Sequence, residues 1–260
     1  GNCIAAGTGV TARAGGQVVS YALNRGDVLQ LLGERGAGHD LSNADLSGIV
    51  LNATHPVQAI AFQPIAAVPD DQAGNLDHVE TVLLPAEAAG TEHLVVPPTS
   101  PSGVVKGGHV VRLYGHVNGT TLTYDNAPAG APASLNAGEV FEFSAPLTAS
   151  IRVTSSEPMT VASFMLGGSL QGDGNCPDYP CSGDPAMTTI PPVGQFQNYY
   201  AFPVGADYDS FADVLFPTGA TVTLNGAPLM TMGTQVAPGW SLRRISLGTG
   251  SHFHTLEASE

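Results

Sequence analysis

A phrase that occurs twice constrains this chain more than any other feature. Residues 21–31 read YALNRGDVLQL and residues 133–143 read ASLNAGEVFEF, each running Leu-Asn-x-Gly-acid-Val before apolar and other residues alternate. Self-similarity at a long, fixed spacing is the signature of stacked supersecondary units. A third version, TQVAPGWSLRRI, keeps the glycine and the following alternation but has lost the Asn and the acid.

With Gly26, Gly138 and Gly239 as anchors, short β-branched stretches open at Val10, Leu122 and Val222, lying 16, 16 and 17 residues upstream. Turn formers fill each interval, and Asn225-Gly226 behind Thr-Val-Thr-Leu is the strongest hairpin signal in the chain. Downstream, LSGIVLNATHPVQAIAF (46–62) parallels LTASIRVTSSEPMTVASFM (147–165), each reading as strand, turn with proline, strand. The connectors 76–98 and 183–204 also match, with Pro85 and Pro191 each lying 12 residues ahead of Pro97 and Pro203. Proline removes ladder donors, so TVLLP and EHLVVPP are expected as short edge strands. Helical periodicity is thin; DLSNADL and PAEAAGTE offer a turn or two at most.

The expected fold is therefore all-β: tandem antiparallel β-sandwich-like units related by an internal repeat, with little helix. The expected boundaries are 1–98 for the first unit and 99–204 for the second, which carries the 172–185 loop. A partial third unit covers 205–260, one strand short of its last, with an open sheet edge expected there.

Composition agrees with many strands and tight turns. The chain has 260 residues, 32 Gly, 20 Pro, 43% hydrophobic and 12% charged residues. The net charge of −14, with eight Lys and Arg in all, excludes a basic nucleic-acid face and disfavours anionic membranes. No run approaches the roughly 20 apolar residues of a membrane helix. Cys176 and Cys181 bracket CPDYPC, where a small-loop disulfide in an exported protein is the natural reading; Cys3 is left over.

The ordered phrases LNRGDVLQL, DHVETVLLP, LNAGEVFEF, VTSSEPMTVASFM, GDPAMTTIPPVGQFQNYYAFPV and GTGSHFHTLEASE resemble the IgGFc-binding protein N-terminal domain family. The resemblance spans residues 8–260 and implies a non-enzymatic extracellular binding or adhesion module, with neighbouring domains of the same polypeptide and protein or glycan ligands as partners. No residue-level Fc-binding motif is available to carry over.

Two loops vary between the copies and so are the candidate sites. In GDGNCPDYPCSGDP, Asp173, Asn175, Asp178 and Asp184 place oxygen ligands on one loop; calcium or a solvated Asx turn both fit. In ADYDSFAD, Asp207 and Asp209 flank Tyr208, and with nearby Tyr199 they form the candidate ligand-binding set. Phe196, Tyr200 and Phe202 are expected in the core, and Trp240 in packing between units. His252 and His254 share one strand face, but a third metal ligand is not apparent. No nucleophile elbow or phosphate-binding glycine loop is present. Three functions stand open: an adhesion or structural module, a glycan-binding module with or without calcium, and a secreted hydrolase.

Overall fold

The computed structural model describes residues 4–34, 44–69, 76–99, 107–143, 145–171, 184–206, 209–229 and 233–259. The chain falls into two compact parts, Gly1–Thr54 and His55–Glu260. The fold is all-β and antiparallel, as the turn-rich alternation predicts.

The described residues of the first part make isolated bridges only, Ile4 with Arg13 and Gly33, and Gly7 with Val10. The alternating stretches at 21–31 and 46–51 do not pair there, and Val18 and Val28 stay exposed. Alternation supplies a face; a strand also needs a partner to take its backbone hydrogen bonds. The repeated phrase is nonetheless folded locally. In both versions the Asn backbone N–H donates to the acid three residues on, Asn24 to Asp27 at 2.7 Å and Asn136 to Glu139 at 2.8 Å. Each Asn side chain donates to the same carboxylate, and the intervening Gly26 and Gly138 take positive φ of 92° and 76°.

From residue 55 onward the ladders begin. Strands β1 (Ile60–Ala66) and β2 (Asp77–Val82) form a two-stranded ribbon. Pro85 caps a 3₁₀ turn at Ala86–Ala88, and β3 (Gly90–Val95) follows as an edge strand, as the prolines on either side require. Next come β4 (His109–Gly115), β5 (Thr120–Asp125), β6 (Ser134–Leu135), β7 (Val140–Glu142) and the 15-residue β8 (Ile151–Met165). A single helical turn at Gly168–Gln171 precedes β9 (Ala186–Ile190).

β8 is the spine of this middle assembly. Its first half pairs with β3 on one side and β5 on the other. Its second half pairs with β4 and β9. Between the halves the ladder with β3 jumps, from Glu92 opposite Thr154 to Gly90 opposite Met159, across Ser155-Ser156-Glu157-Pro158. Pro158 cannot donate to a ladder, and Ser155 Oγ donates to the Glu157 carbonyl at 2.7 Å, so the strand bends there. The bend folds the sheet over one core: Ile151 and Val153 from the first half meet Met159 and Val161 from the second, with Val111 and Leu113 beneath.

Residue 193 begins a second 3₁₀ turn, Val193–Gln195, capped by Pro192. The remaining strands are β10 (Tyr199–Val204), β11 (Asp209–Pro217), β12 (Val222–Leu224), β13 (Ala227–Pro228), β14 (Thr234–Ala237), β15 (Trp240–Thr249) and β16 (His252–Ala258). They build a four-stranded sheet, β10-β16-β12-β13, and a three-stranded sheet, β11-β15-β14. Both sheets bury residues in one core, Val222 and Leu256 from the first, Phe216, Ile245 and Leu247 from the second, which makes a sandwich. The predicted hairpin is present: Asn225 and Gly226 have φ of 52° and 77° and close β12 onto β13, as a type I′ turn demands.

Candidate functional site: the outer face of the β10-β16-β12 sheet

Strand parity divides β10 cleanly. Phe202 and Val204 point into the sandwich core, together with Leu256 and Ala258 of β16 and Leu224 of β12. Their sequence neighbours must therefore face outward. Tyr199 lies across the ladder from Glu257, Ala201 from Thr255, and Pro203 from Phe253. Tyr199 is 53% exposed and Phe253 67% exposed.

The outer face is thus a strip with an aromatic ring near either end and small side chains between. Four residues of strand separate Tyr199 from Pro203 and its neighbour Phe253, a span of about 13 Å. Exposed, amphipathic rings supply large contact area at low entropic cost, and Glu257 lies across the ladder from Tyr199 at one end of the strip. Tyr200, expected in the core, is 47% exposed although its ladder partner Leu256 is buried; its hydroxyl accepts the Gln197 N–H at 3.0 Å. Phe202 does fill the core, while Phe196 meets Trp240 edge to face at 5.5 Å.

The ladders place the sequence-predicted residues as follows. Tyr199 sits at one end of β10, paired with Glu257 of β16. Asp209 opens β11 opposite Thr249, beside the β15–β16 turn, which lies at the Val204 end of β10. Tyr199 and Asp209 therefore occupy opposite ends of the sandwich. Asp184 is exposed just ahead of β9. Asp207, Tyr208, Asp173, Asn175, Asp178 and the cysteines Cys3, Cys176 and Cys181 lie outside the described residues.

Four histidines have settled structural roles. His252 contacts the Thr249 carbonyl through Nε2 at 2.9 Å. His254, buried under Asn225, has Nδ1 3.1 Å from the Asn225 amide nitrogen. Among the described residues, no group of three His, Cys, Asp or Glu is arranged to hold a metal ion. Two further histidines are buried. His93 is buried at the β8 bend, its ring nitrogens 3.2–3.3 Å from the carbonyls of Gly90, Met159 and Ile190. Burial holds its pKa below the usual value, against the pull of those three carbonyls. His109 is sealed in the β4–β8 layer with Nδ1 2.6 Å from Ser163 Oγ, and burial lowers its pKa to about 4. A serine paired with a histidine invites a catalytic reading, but both side chains are closed off from solvent, so substrate cannot reach them in this conformation. No sequence signal could have paired them, since they lie 54 residues apart and meet only through the β4–β8 register.

The described residues thus form an all-β fold that commits inner sheet faces to its cores and displays aromatic rings on an outer one. The family described as IgGFc binding protein matches residues 2–260, and the chain belongs to it. Neither a curated protein nor a solved structure matches the chain. No helix among the described residues is long and apolar enough to cross a membrane.

Proposed function

We propose that this chain is a non-enzymatic extracellular module, serving adhesion or structure within a larger secreted or cell-surface protein, whose ligand docks on the outer face of β10, β16 and β12. The observation that carries the reading is the pair of exposed rings, Tyr199 and Phe253, on one outward face whose reverse side is core. A hydrophobic, aromatic strip with a carboxylate at one end suits a protein surface with its own aromatic or Arg anchors. A run of sugar rings stacked on the two aromatics is the second reading, favoured by the flat, small-residue middle at Ala201 and Thr255.

Membership in the IgGFc-binding family supports the extracellular setting and makes immobilised immunoglobulin Fc the first probe, with a glycan array as the second. Binding to either should fall by about tenfold or more in the Tyr199→Ala/Phe253→Ala double variant, the scale expected of aromatic anchors. Both positions are exposed, so the variant should melt with the parent. Retained binding in a folded double variant would place the ligand elsewhere.

A further inference from the structure

A ring and a carboxylate together hold an arginine at two places in this fold. On the three-stranded sheet, Arg244 lies across the ladder from Asp213 and pairs with its carboxylate at 3.8 Å. The same guanidinium stacks over Phe211, two residues before Asp213 on β11, with Cζ 4.1 Å from the ring centroid. In the middle assembly, Arg112 lies across from Glu142 and donates to its carboxylate through Nε. Its guanidinium also lies over the Phe164 ring, at 5.1 Å. Each arginine is thus held by a charge and by the electron-rich face of a ring.

The outer face of β10 and β16 carries the same two partners and no arginine. Tyr199 and Glu257 lie directly across the ladder from each other. Phe202, Val204, Leu256 and Ala258 take the core side, which leaves both residues facing outward and exposed. Side chains opposed in this way have Cβ atoms about 4.5–5.5 Å apart, so a flat group resting on the ring reaches the carboxylate. Neither residue has an ion pair or a cation over its ring among the described residues. Thr223, the other ladder neighbour of Glu257, brings no charge.

We propose that Tyr199 and Glu257 form a receptor for an arginine side chain of a protein ligand, its guanidinium lying on the Tyr199 ring and pairing with the Glu257 carboxylate. The inference rests on the outer face of β10 and β16 being the docking surface, and it names the chemistry of the partner. Arginine suits the pair better than lysine, because its guanidinium is planar, weakly hydrated and able to stack. The net charge of −14 adds a long-range pull on a cationic partner. A neutral sugar stacked on Tyr199 would use Glu257 only as a hydrogen-bond acceptor, a role that glutamine also fills.

NMR of the isotope-labelled chain, titrated with N-acetyl-arginine methylamide, tests this. Amide signals of Tyr199, Thr255 and Glu257 should shift and saturate. N-acetyl-citrulline methylamide has the same shape without the charge and should bind about fivefold more weakly. Glu257→Gln and Tyr199→Leu, both at exposed positions, should each weaken arginine binding about threefold. Should a variant misfold, its spectrum shows it, and the comparison of arginine with citrulline on the parent decides. Absence of saturable shifts at the pair overturns the proposal. So does equal binding of citrulline, or an undiminished response in either folded variant. The Fc and glycan assays separate this failure from failure of the face itself. Binding retained in the Tyr199→Ala/Phe253→Ala variant removes the face, and the arginine receptor with it. Binding lost there but undiminished in Glu257→Gln leaves the face and removes the arginine.

Discussion

Asn136 and Glu139 show what a single residue settles here. The amide and backbone of Asn136 close on the Glu139 carboxylate, and Asn24 closes on Asp27 in the same manner. Partners three residues apart need no tertiary contact, so the repeated phrase is a turn wherever it occurs. Histidines behave differently, since their state depends on what the fold packs around them. His109 has a pKa of about 4 in the folded chain against 6.5 when unfolded, so the unfolded chain binds more protons between those values. Its contribution is fully present above pH 6.5 and drains away as pH falls towards 4. The whole shift is worth about 3 kcal/mol. Urea denaturation at stepped pH should therefore show His109→Gln losing stability less steeply on acidification than the parent, by about one proton's worth of slope. An unchanged slope would mean that His109 is not the group responsible. His93, also pushed down by burial, leaves part of the acid sensitivity in place.

Among the elements, β8 and the β12–β13 hairpin sit at opposite extremes of legibility. The hairpin is written locally: Asn225 and Gly226 supply the two positive φ angles, and Asn225 Oδ1 further accepts the Thr255 N–H at 2.9 Å. Gly226→Ala keeps open space around the new methyl group but forces an L residue to φ 77°. The expected cost is about 1 kcal/mol, read as a lower midpoint in thermal denaturation with binding unaffected. β8 is only half legible. Its apolar alternation and Pro158 mark two strands and a turn, and the sequence reading divides it so. The structure keeps it as one bent strand, because β3 and β5 hold its first half while β4 and β9 hold its second. Each neighbour comes from a different stretch of chain, and no window of sequence contains them together. The stretches at 21–31 and 46–51 show the converse, with strand-like alternation and no ladder among the described residues.

Across the whole molecule, the net charge of −14 and the Asp-rich sequence at 172–185, most of which lies outside the described residues, invite a cation. Asp184 is exposed beside β9, and charge alone would attract calcium weakly. We expect thermal midpoints with calcium and with chelator to coincide, the solvated-turn outcome. A ligand held by the native state at a hundredfold above its dissociation constant would add about 2.7 kcal/mol, so a real site would be plain in the comparison. The candidate face, by contrast, needed the fold. Tyr199 was singled out from its tyrosine-rich surroundings, but Phe253 lies 54 residues away and reaches the same strip only through the β10–β16 register.

The sequence by itself determined the all-β class, the glycine and Asx turns, the edge character of the proline-flanked strands and the family, because each rests on residues close together in the chain or on their order along it. The tertiary structure decided which alternating stretches became strands, where β8 bends, which histidines are sealed, and which aromatics share the outward face. Those outcomes depend on hydrogen-bonding partners and packing neighbours from distant segments. A period of two records that a strand has two faces, and only its ladder partners decide which one meets water.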